Sequence, residues 1–531
     1  MSEKCTGGEA LVAALRAHGA DTVFGIPGTH NLPVYAALAR HGLRHVSPRH
    51  EQGAGFAADG WARASGRPGV CVTTTGPALL NAATAAAQAY SDSVPVLFVS
   101  PGLPLRHPGQ GNGFLHELKD QRAAFDAVVA YSHRVTSVEE IPLAVACAYA
   151  AMGTGRPRPV HLEIPLDLLD ECAVAPPVAP VPLPPAVPSE PQIRAAARLL
   201  ADSVRPVVIA GGGSSGAAPG LRALAERLGA PVVTTANGKG VFPDDHLLAV
   251  GAGLHHGAVH DLVRDSDVVV AVGTELAPSD LWCGPFEIPG DLIRIDIDAR
   301  SVITNALPDV AIVSDAATAL TVLHRHLPER ATTAQGVGRA ARSRQARTAQ
   351  ARAEGADHLV LTEVLSQVLG REGILVGDSA MSCYYGALSN TPAYRPRSFL
   401  YPTGLGTLGY GLPAAVGAKL ARPGAPVVAL HGDGGLMFTV QELAAAAQLR
   451  LPLPVIVTDN GGYGEIRNEM AERGDPVHAV GLFAVDFPAT ARALGCHGLS
   501  AEDGDTLAHA LEQALVADRP TLIHLPESAA R

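Results

Sequence analysis

Three times along the 531 residues, short β-branched runs alternate with segments of helical period, and this alternation limits the open folds more than any other feature. A strand that must be followed by a crossover helix before the next strand builds a parallel sheet covered on both faces. In the first block "DTVFGIPG", "GVCVTTTGP" and "VPVLFVS" read as strands, with "EQGAGFAADGWARASG" and "NAATAAAQAY" as helices. The stretch "CAVAPPVAPVPLPPAVPSEPQ" then carries too much proline for a helix or a central strand and reads as an extended linker. Alternation resumes with "RPVVIAGGGSSG", "APVVTTANGKG", "SDVVVAVGT" and "DLIRIDID". It resumes again after "LVLTEVLSQVL", with "GILVGDS", "PVVALHGDG", "LPVIVTDN" and "PTLIHLPES". Between these last two blocks, "PERATTAQGVGRAARSRQARTAQARAEGADH" has no apolar periodicity and reads as a connector that could carry a solvated helix. The expected fold is α/β, with three doubly wound parallel-sheet domains. Their bounds are 1–171, a Pro-rich linker over 172–192, a central domain over 193–327, a connector over 328–357 and a third domain over 358–531. A prior of roughly 100–200 residues per domain agrees.

The partners are narrowed by charge. Hydrophobic residues make up 47% and charged residues 17%, which describes a chain with large cores and excludes disorder as its main state. Aromatics are only 4%, so Ala, Val and Leu must fill those cores. A formal net charge of −11 without any basic run argues against nucleic acid and against an anionic membrane, leaving small molecules or protein. Seven cysteines, odd in number and without a C-x-x-C pair, fit a reducing compartment. With no apolar run near the ~20 residues that span a bilayer, and an N-terminus that reads as a capped amphipathic helix, the expected location is cytoplasmic.

In open parallel sheets, ligands gather outside the carboxyl ends of the strands. "VVALHGDGG" ends one strand in this way and "LPVIVTDNGG" the next. Gly432 and Gly434 allow a turn that sets Asp433 at the crevice. A hard dication such as Mg2+ takes oxygen ligands and shares them with phosphate. Asp433, the side-chain oxygen of Asn460 and a backbone carbonyl close after it could supply half an octahedron, and a bound diphosphate most of the rest. Alone, a Gly-Asp-Gly is a tight turn and an Asn a helix cap; their arrangement across one helix and one strand is what points to a metal and diphosphate anchor.

That stretch resembles the thiamine-diphosphate signature, and the resemblance covers the whole chain. "PRHEQGAGFAADGWARASGRPGVCVTTTGP" is similar to the pyrimidine-binding half of acetohydroxyacid synthase and its decarboxylase relatives, and "PTGLGTLGYGLPAAVGAKLA" to their cofactor-clasping loop. The domain order, pyrimidine-binding, central, diphosphate-binding, is also theirs. The resemblance implies thiamine diphosphate with Mg2+, the latter on Asp433, Asn460 and Gly462. It implies that Glu51 keeps a proton on N1′ of the cofactor, so that the aminopyrimidine can serve as base. Leu408 takes the place of the wedge that bends the cofactor into a V, and the Gly406 carbonyl accepts from its 4′-amino group. Thr75, Gly76 and Ser379, with Gly432, Gly434, Gly435, Tyr463 and Gly464, complete the implied cofactor contacts. A homodimer or homotetramer with active sites between subunits is implied too. FAD, which some relatives hold in the central domain, is undecided and the lesser expectation, because "AGGGSSG" after a strand is a weak signal alone.

Departures from acetohydroxyacid synthase fall at the substrate. Leu115-His116 in "GNGFLHELKDQ" stand where that family has Phe-Gln, and Glu465 stands where it has Met. Gly76-Pro77-Ala78 replaces a Gly-Pro-Gly, and "FGIPGTHNLPVY" presents Thr29 and His30 at substrate-facing places. Burying an unpaired carboxylate at Glu465 costs several kcal/mol. A substrate with a guanidinium tail would pair with it bidentately; otherwise Glu465 is a solvent-facing acid or a partner of Arg467. "GQGNGFLHEL" together with "DNGGYGEIRN" resembles the decarboxylases of 5-guanidino-2-oxopentanoate, the 2-oxo acid of arginine. His116 and His30, as imidazoles that titrate near neutrality, are candidates to deliver the proton that completes the aldehyde, or else structural histidines. The expected activity is non-oxidative decarboxylation of a small-molecule 2-oxo acid, a cationic one. Its rivals are an acetolactate-type carboligase and a catalytically silent regulatory relative.

Overall fold

The computed structural model describes residues 4–107, 111–328 and 334–530. Three six-stranded sheets, every named pair in them parallel, carry the chain. From edge to edge the first runs Arg44–Val46, Thr22–Gly25, Gly69–Val72, Val96–Gly102, Val160–Pro165 and Ser132–Arg134. The third runs Phe399–Leu400, Ile374–Gly377, Val427–Gly432, Pro454–Asp459, Thr521–Pro526 and His497–Ser500. Both therefore follow the chain order second, first, third, fourth, sixth, fifth. The central sheet differs: Ala249–Ala252, Val232–Thr234, Pro206–Ala210, Val268–Val272, Asp291–Asp296 and Val310–Val313 place its first strand third from the edge. The central order reverses direction once and the other two reverse twice, and each sheet has a reversal beside its first strand, opening a crevice at the strand ends where ligands bind. In the first and third sheets the crevice lies beside the first and third strands, so Thr73–Gly76 and Asp433–Gly435 leave the sheets at equivalent points.

Strands such as Val268–Val272 are buried along their whole length, as parallel strands covered on both faces must be. The first and third domains meet through two small-residue helices, Glu51–Ser65 and Gly411–Ala421. A Cβ at Gly60 would lie 2.1 Å from the Ala414 carbonyl oxygen, and one at Gly417 would lie 1.9 Å from that of Ala57. Only glycine permits that approach, which explains how a chain poor in aromatics still closes its interfaces.

One arginine ties all three domains. Buried Arg63 bonds to Asp59 and Asp92, each at 2.7 Å, to the Asn237 side chain of the central domain at 3.1 Å, and to the Tyr401 carbonyl of the third at 3.2 Å. Tyr410 donates to Asp59 at 2.6 Å from the third domain's side. Asp92 also accepts the Gly404 amide at 2.9 Å, and Gln88 accepts the Thr407 hydroxyl at 2.8 Å, so the loop before Leu408 is gripped by the first domain.

Two sequence expectations need correction. The segment read as a connector with a solvated helix contains a helix, Ala334–Glu354, whose Arg339, Ala340, Arg347 and Ala351 are buried. Its packing uses guanidinium groups on backbone carbonyls, Arg347 to Ser389 at 2.5 Å and Arg339 to Pro206 at 2.9 Å, and so leaves no apolar period to read. The proline-rich stretch is not a plain linker at either end. Cys172–Ala173 pairs antiparallel with Cys5–Thr6, and a helix already begins at Glu190, where Pro191 sits in the first turn and loses no hydrogen bond. No helix among the described residues is long and apolar enough to cross a membrane.

Replacing Arg63 by Ala would strand two buried carboxylates. The Arg63→Ala variant is expected to lose about 3–5 kcal/mol of stability, read as a lower thermal or urea midpoint, whereas an exposed control such as Arg352→Ala should move it little.

Candidate active site

At the crevice of the third sheet, Asp378 follows the strand Ile374–Gly377 and Asp433 follows the neighbouring Val427–Gly432. Asp378 is fully buried and accepts from the Gly409 amide at 2.9 Å, the Tyr410 amide at 3.1 Å and His431 Nδ1 at 2.9 Å. These bonds draw the 404–410 loop over the strand ends, so that Gly406 and Leu408 line a cavity of about 280 Å3 together with Asp433 and Asn460. Ser379, Gly432, Gly434 and Gly435 lie in the same wall, and Gly462, Tyr463, Gly464 and Glu465 close the far side.

The donors that line this cavity could hold a metal. Asn460 Oδ1 is buried with no hydrogen-bond partner among the described residues, while Nδ2 of the same side chain rests 3.8 Å from the Met381 sulfur. The Asp433 carboxyl is pushed up to about 6, first by burial and then by Asp459. Among the described residues, no Lys or Arg lines the cavity. A vacant oxygen donor beside a desolvated carboxylate is an arrangement that a hard dication satisfies.

At the crevice of the first sheet a second group assembles. The loop after Thr22–Gly25 turns at Thr29–Asn31, where the Asn31 side chain accepts from the Gly28 amide at 2.8 Å and donates to the Ile26 carbonyl at 3.0 Å. That turn buries His30 and leaves Thr29 exposed. His30 lies 5.1 Å, ring to ring, from His116, and Nδ1 of each is buried without a partner among the described residues. Burial, then His116, lowers the His30 pKa. Gly76 has φ +68, and a Cβ there would sit 2.3 Å from the His116 carbonyl oxygen, so glycine is needed for the two loops to meet. Thr75 is buried with Oγ1 unpartnered among the described residues. Glu51 opens its helix and accepts from Asn81 Nδ2 at 3.0 Å. Leu115 points out at 58% exposure.

Among the described residues no hydrogen bond or ion pair joins the Glu51–His30–His116 group to the Asp433–Asn460 group. The third domain nevertheless sets Glu51's surroundings, because buried Glu442 accepts the Arg49 and His50 amides at 3.0 Å just ahead of it. Burial raises the Glu442 carboxyl to about 7. Asp378 and Glu442 were both missed in the sequence. Asp378 ends "GILVGDS" much as Asp433 ends "PVVALHGDG" and could have been found by that parallel; nothing local marks Glu442.

Glu465 sits between two cavities. Its Oε1 accepts the Tyr385 hydroxyl at 2.7 Å, and Arg467, offered by the sequence as its partner, donates instead to the Asn460 carbonyl at 3.3 Å. The second cavity, of about 500 Å3, lies between the central and third domains and shares Ser379, Tyr384 and Glu465 with the first.

Comparison with known proteins agrees with this division. Residues 5–124 match the thiamine pyrophosphate enzyme N-terminal TPP binding domain, 193–323 the central domain and 380–525 the C-terminal TPP binding domain. A probable 2-ketoarginine decarboxylase of Pseudomonas aeruginosa is 43% identical over 99% of this chain and 95% of its own. A probable acetolactate synthase large subunit of Methanocaldococcus jannaschii is 35% identical over 98% and 91%, and an acetolactate synthase of Mycobacterium bovis is 34% identical over 98% and 88%.

Glu442 predicts a pH effect. Its carboxyl titrates higher in the folded chain than unfolded, so its contribution to stability is present at low pH and is lost as pH rises through about 7. Glu442→Gln keeps an acceptor for the amides and cannot ionise. Its melting temperature relative to wild type should therefore rise steadily between about pH 5 and about pH 8, and a flat difference would remove the buried ionisation from the account.

Proposed function

The chain belongs to the thiamine pyrophosphate enzyme family, and we propose that it decarboxylates a cationic 2-oxo acid, 5-guanidino-2-oxopentanoate, to 4-guanidinobutanal and CO2 without oxidation. The observation that carries this reading is Glu465, a carboxylate in the shared wall of both cavities with no Lys or Arg in ion-pair range among the described residues. A neutral substrate would leave that carboxylate without a counter-charge, whereas a guanidinium pairs with it. The Pseudomonas aeruginosa relative, whose name carries the same 2-oxo acid, supports the substrate, and the acetolactate synthases stand at lower identity.

Thiamine diphosphate, when bound, supplies the electron sink for the bond released with CO2. The residues present fit it. Asp433, Asn460 Oδ1 and the Gly462 carbonyl would hold Mg2+, and with neither Lys nor Arg in that wall among the described residues the dication would offset the diphosphate charge. Gly432, Gly434, Gly435 and Ser379 would border the diphosphate, Tyr463 and Gly464 the metal side, and Leu408 and Gly406 the bend of the cofactor. Glu51 would hold a proton for pyrimidine N1′, and Thr75 and Gly76 of the same domain would border the cofactor. His30 and His116, in ring contact and each with a spare buried nitrogen, move a proton onto the aldehyde carbon, with Thr29 and Leu115 at the rim. No step of this scheme calls for FAD. Because Glu51 and Asp433 lie in groups without a bond between them, the two are proposed to meet across a homodimer interface, as a pair or within a tetramer.

Incubation with thiamine diphosphate, Mg2+ and 5-guanidino-2-oxopentanoate should yield 4-guanidinobutanal, with pyruvate a poor substrate. Preferred turnover of pyruvate to acetolactate would overturn the reading. Glu51→Gln and Asp433→Asn are each expected to lose at least about 100-fold in rate. If sites form between subunits, co-expressing the two inactive chains should restore about a quarter of wild-type activity, since half the dimers are mixed and each mixed dimer keeps one intact site. No recovery would argue that each chain builds its own site.

A further inference from the structure

Aromatic residues are scarce in this chain, yet one of its two tryptophans and three of its ten tyrosines line the 500 Å3 chamber between the central and third domains. Trp282 meets Tyr384 edge to face at 6.2 Å and Tyr385 at 6.0 Å, and the two tyrosines meet at 4.6 Å. Both tyrosines come from a π-helical stretch, Ser382–Ala387, a widened turn that is found often at functional sites. Trp282 is held from behind: His255 stacks on it at 3.8 Å and 14°, and His255 Nε2 is 3.1 Å from Glu354 Oε2.

Two carboxylates face this aromatic wall from different domains. Glu465 comes from the third, on the Tyr385 hydroxyl, and Asp280 comes from the central domain. Asp280 spends one oxygen on the Ala236 amide at 3.0 Å, and burial raises its carboxyl to about 6. Among the described residues, no Lys or Arg lines the chamber and neither carboxylate is in an ion pair. Aromatic faces attract a desolvated cation, and carboxylates grip a guanidinium through paired hydrogen bonds. An acidic, aromatic chamber with neither Lys nor Arg in its described lining, and whose His255 is bonded to Glu354, is complementary to such a group, and Glu465, Tyr384 and Ser379 connect it directly to the cavity of Leu408.

We infer that this chamber is the subsite for the cationic end of the substrate, with Asp280 and Trp282 of the central domain reading the tail opposite Glu465. The inference rests on the cationic-substrate reading and adds that selectivity is set by the central domain, through two residues that no motif singles out.

The test uses holoenzyme with thiamine diphosphate and Mg2+. The ratio of kcat/KM for 5-guanidino-2-oxopentanoate over that for neutral 2-oxohexanoate is measured for wild type, Asp280→Asn and Trp282→Leu. Each substitution is expected to lower the ratio by about 10- to 100-fold, mostly through KM of the guanidino acid. In a second measurement, 4-guanidinobutanoate added to wild type should change tryptophan emission, and Trp282→Leu should abolish that change. This arm decides the matter even if Asp280→Asn folds poorly. Equal losses on both substrates, no emission change, or a flavin spectrum in the purified protein that Trp282→Leu removes would each overturn the assignment. If wild type acts on neutral oxo acids but not on the guanidino acid, the substrate reading falls and this subsite with it. If it acts on the guanidino acid and the variants keep its selectivity, only the subsite falls.

Discussion

The arrangement of both cavities depends on Arg63. Its guanidinium joins two buried carboxylates of the first domain to a side chain of the central domain and a carbonyl of the third. A buried ion pair contributes little net stability against an apolar replacement, but it is severe about geometry, because removing one partner leaves a charge with no water. Asp92, one of those carboxylates, also holds the Gly404 amide, so the clamp that orients the domains is continuous with the loop that presents Leu408. The Gly60–Gly417 helix contact works in the same direction, since helices at backbone contact distance cannot slide without collision.

Electrostatically the two cavities lean one way. The cavities gather Asp433, Asn460, Glu465 and Asp280, with neither Lys nor Arg among their described linings. Under the proposed function, positive charge arrives with what binds, as a dication at the strand ends and as a guanidinium between the domains. The raised Asp433 and Asp280 carboxyls, both near 6, express the cost of holding that charge before its partner comes.

How much of this could be read from sequence depended on whether a feature is local. Strand and helix alternation was legible because each element carries its own apolar period, and all three parallel sheets follow from it. Asp433 and Asn460 were legible because each ends a strand next to glycines. The helix Ala334–Glu354 was not, because its arginines bind carbonyls far along the chain, which leaves no hydrophobic stripe. Glu442 acts on residues nearly four hundred positions earlier, and Trp282 and Tyr385 meet only after two domains have docked. Glu465 lay between these cases: its type stood out in sequence, but its bond to Tyr385, and not to Arg467, needed the fold.

The first and third sheets share one strand order and the central sheet has another. The two like sheets carry the groups assigned to the cofactor, while the central sheet reaches only the chamber wall, through the loops around Ala236, His255 and Trp282. Such a layout separates what must stay constant from what is free to drift. Loops at the ends of the central strands could diverge to admit other tails while the chemistry beneath is inherited unchanged, which makes the middle of this chain the natural ground for new specificities.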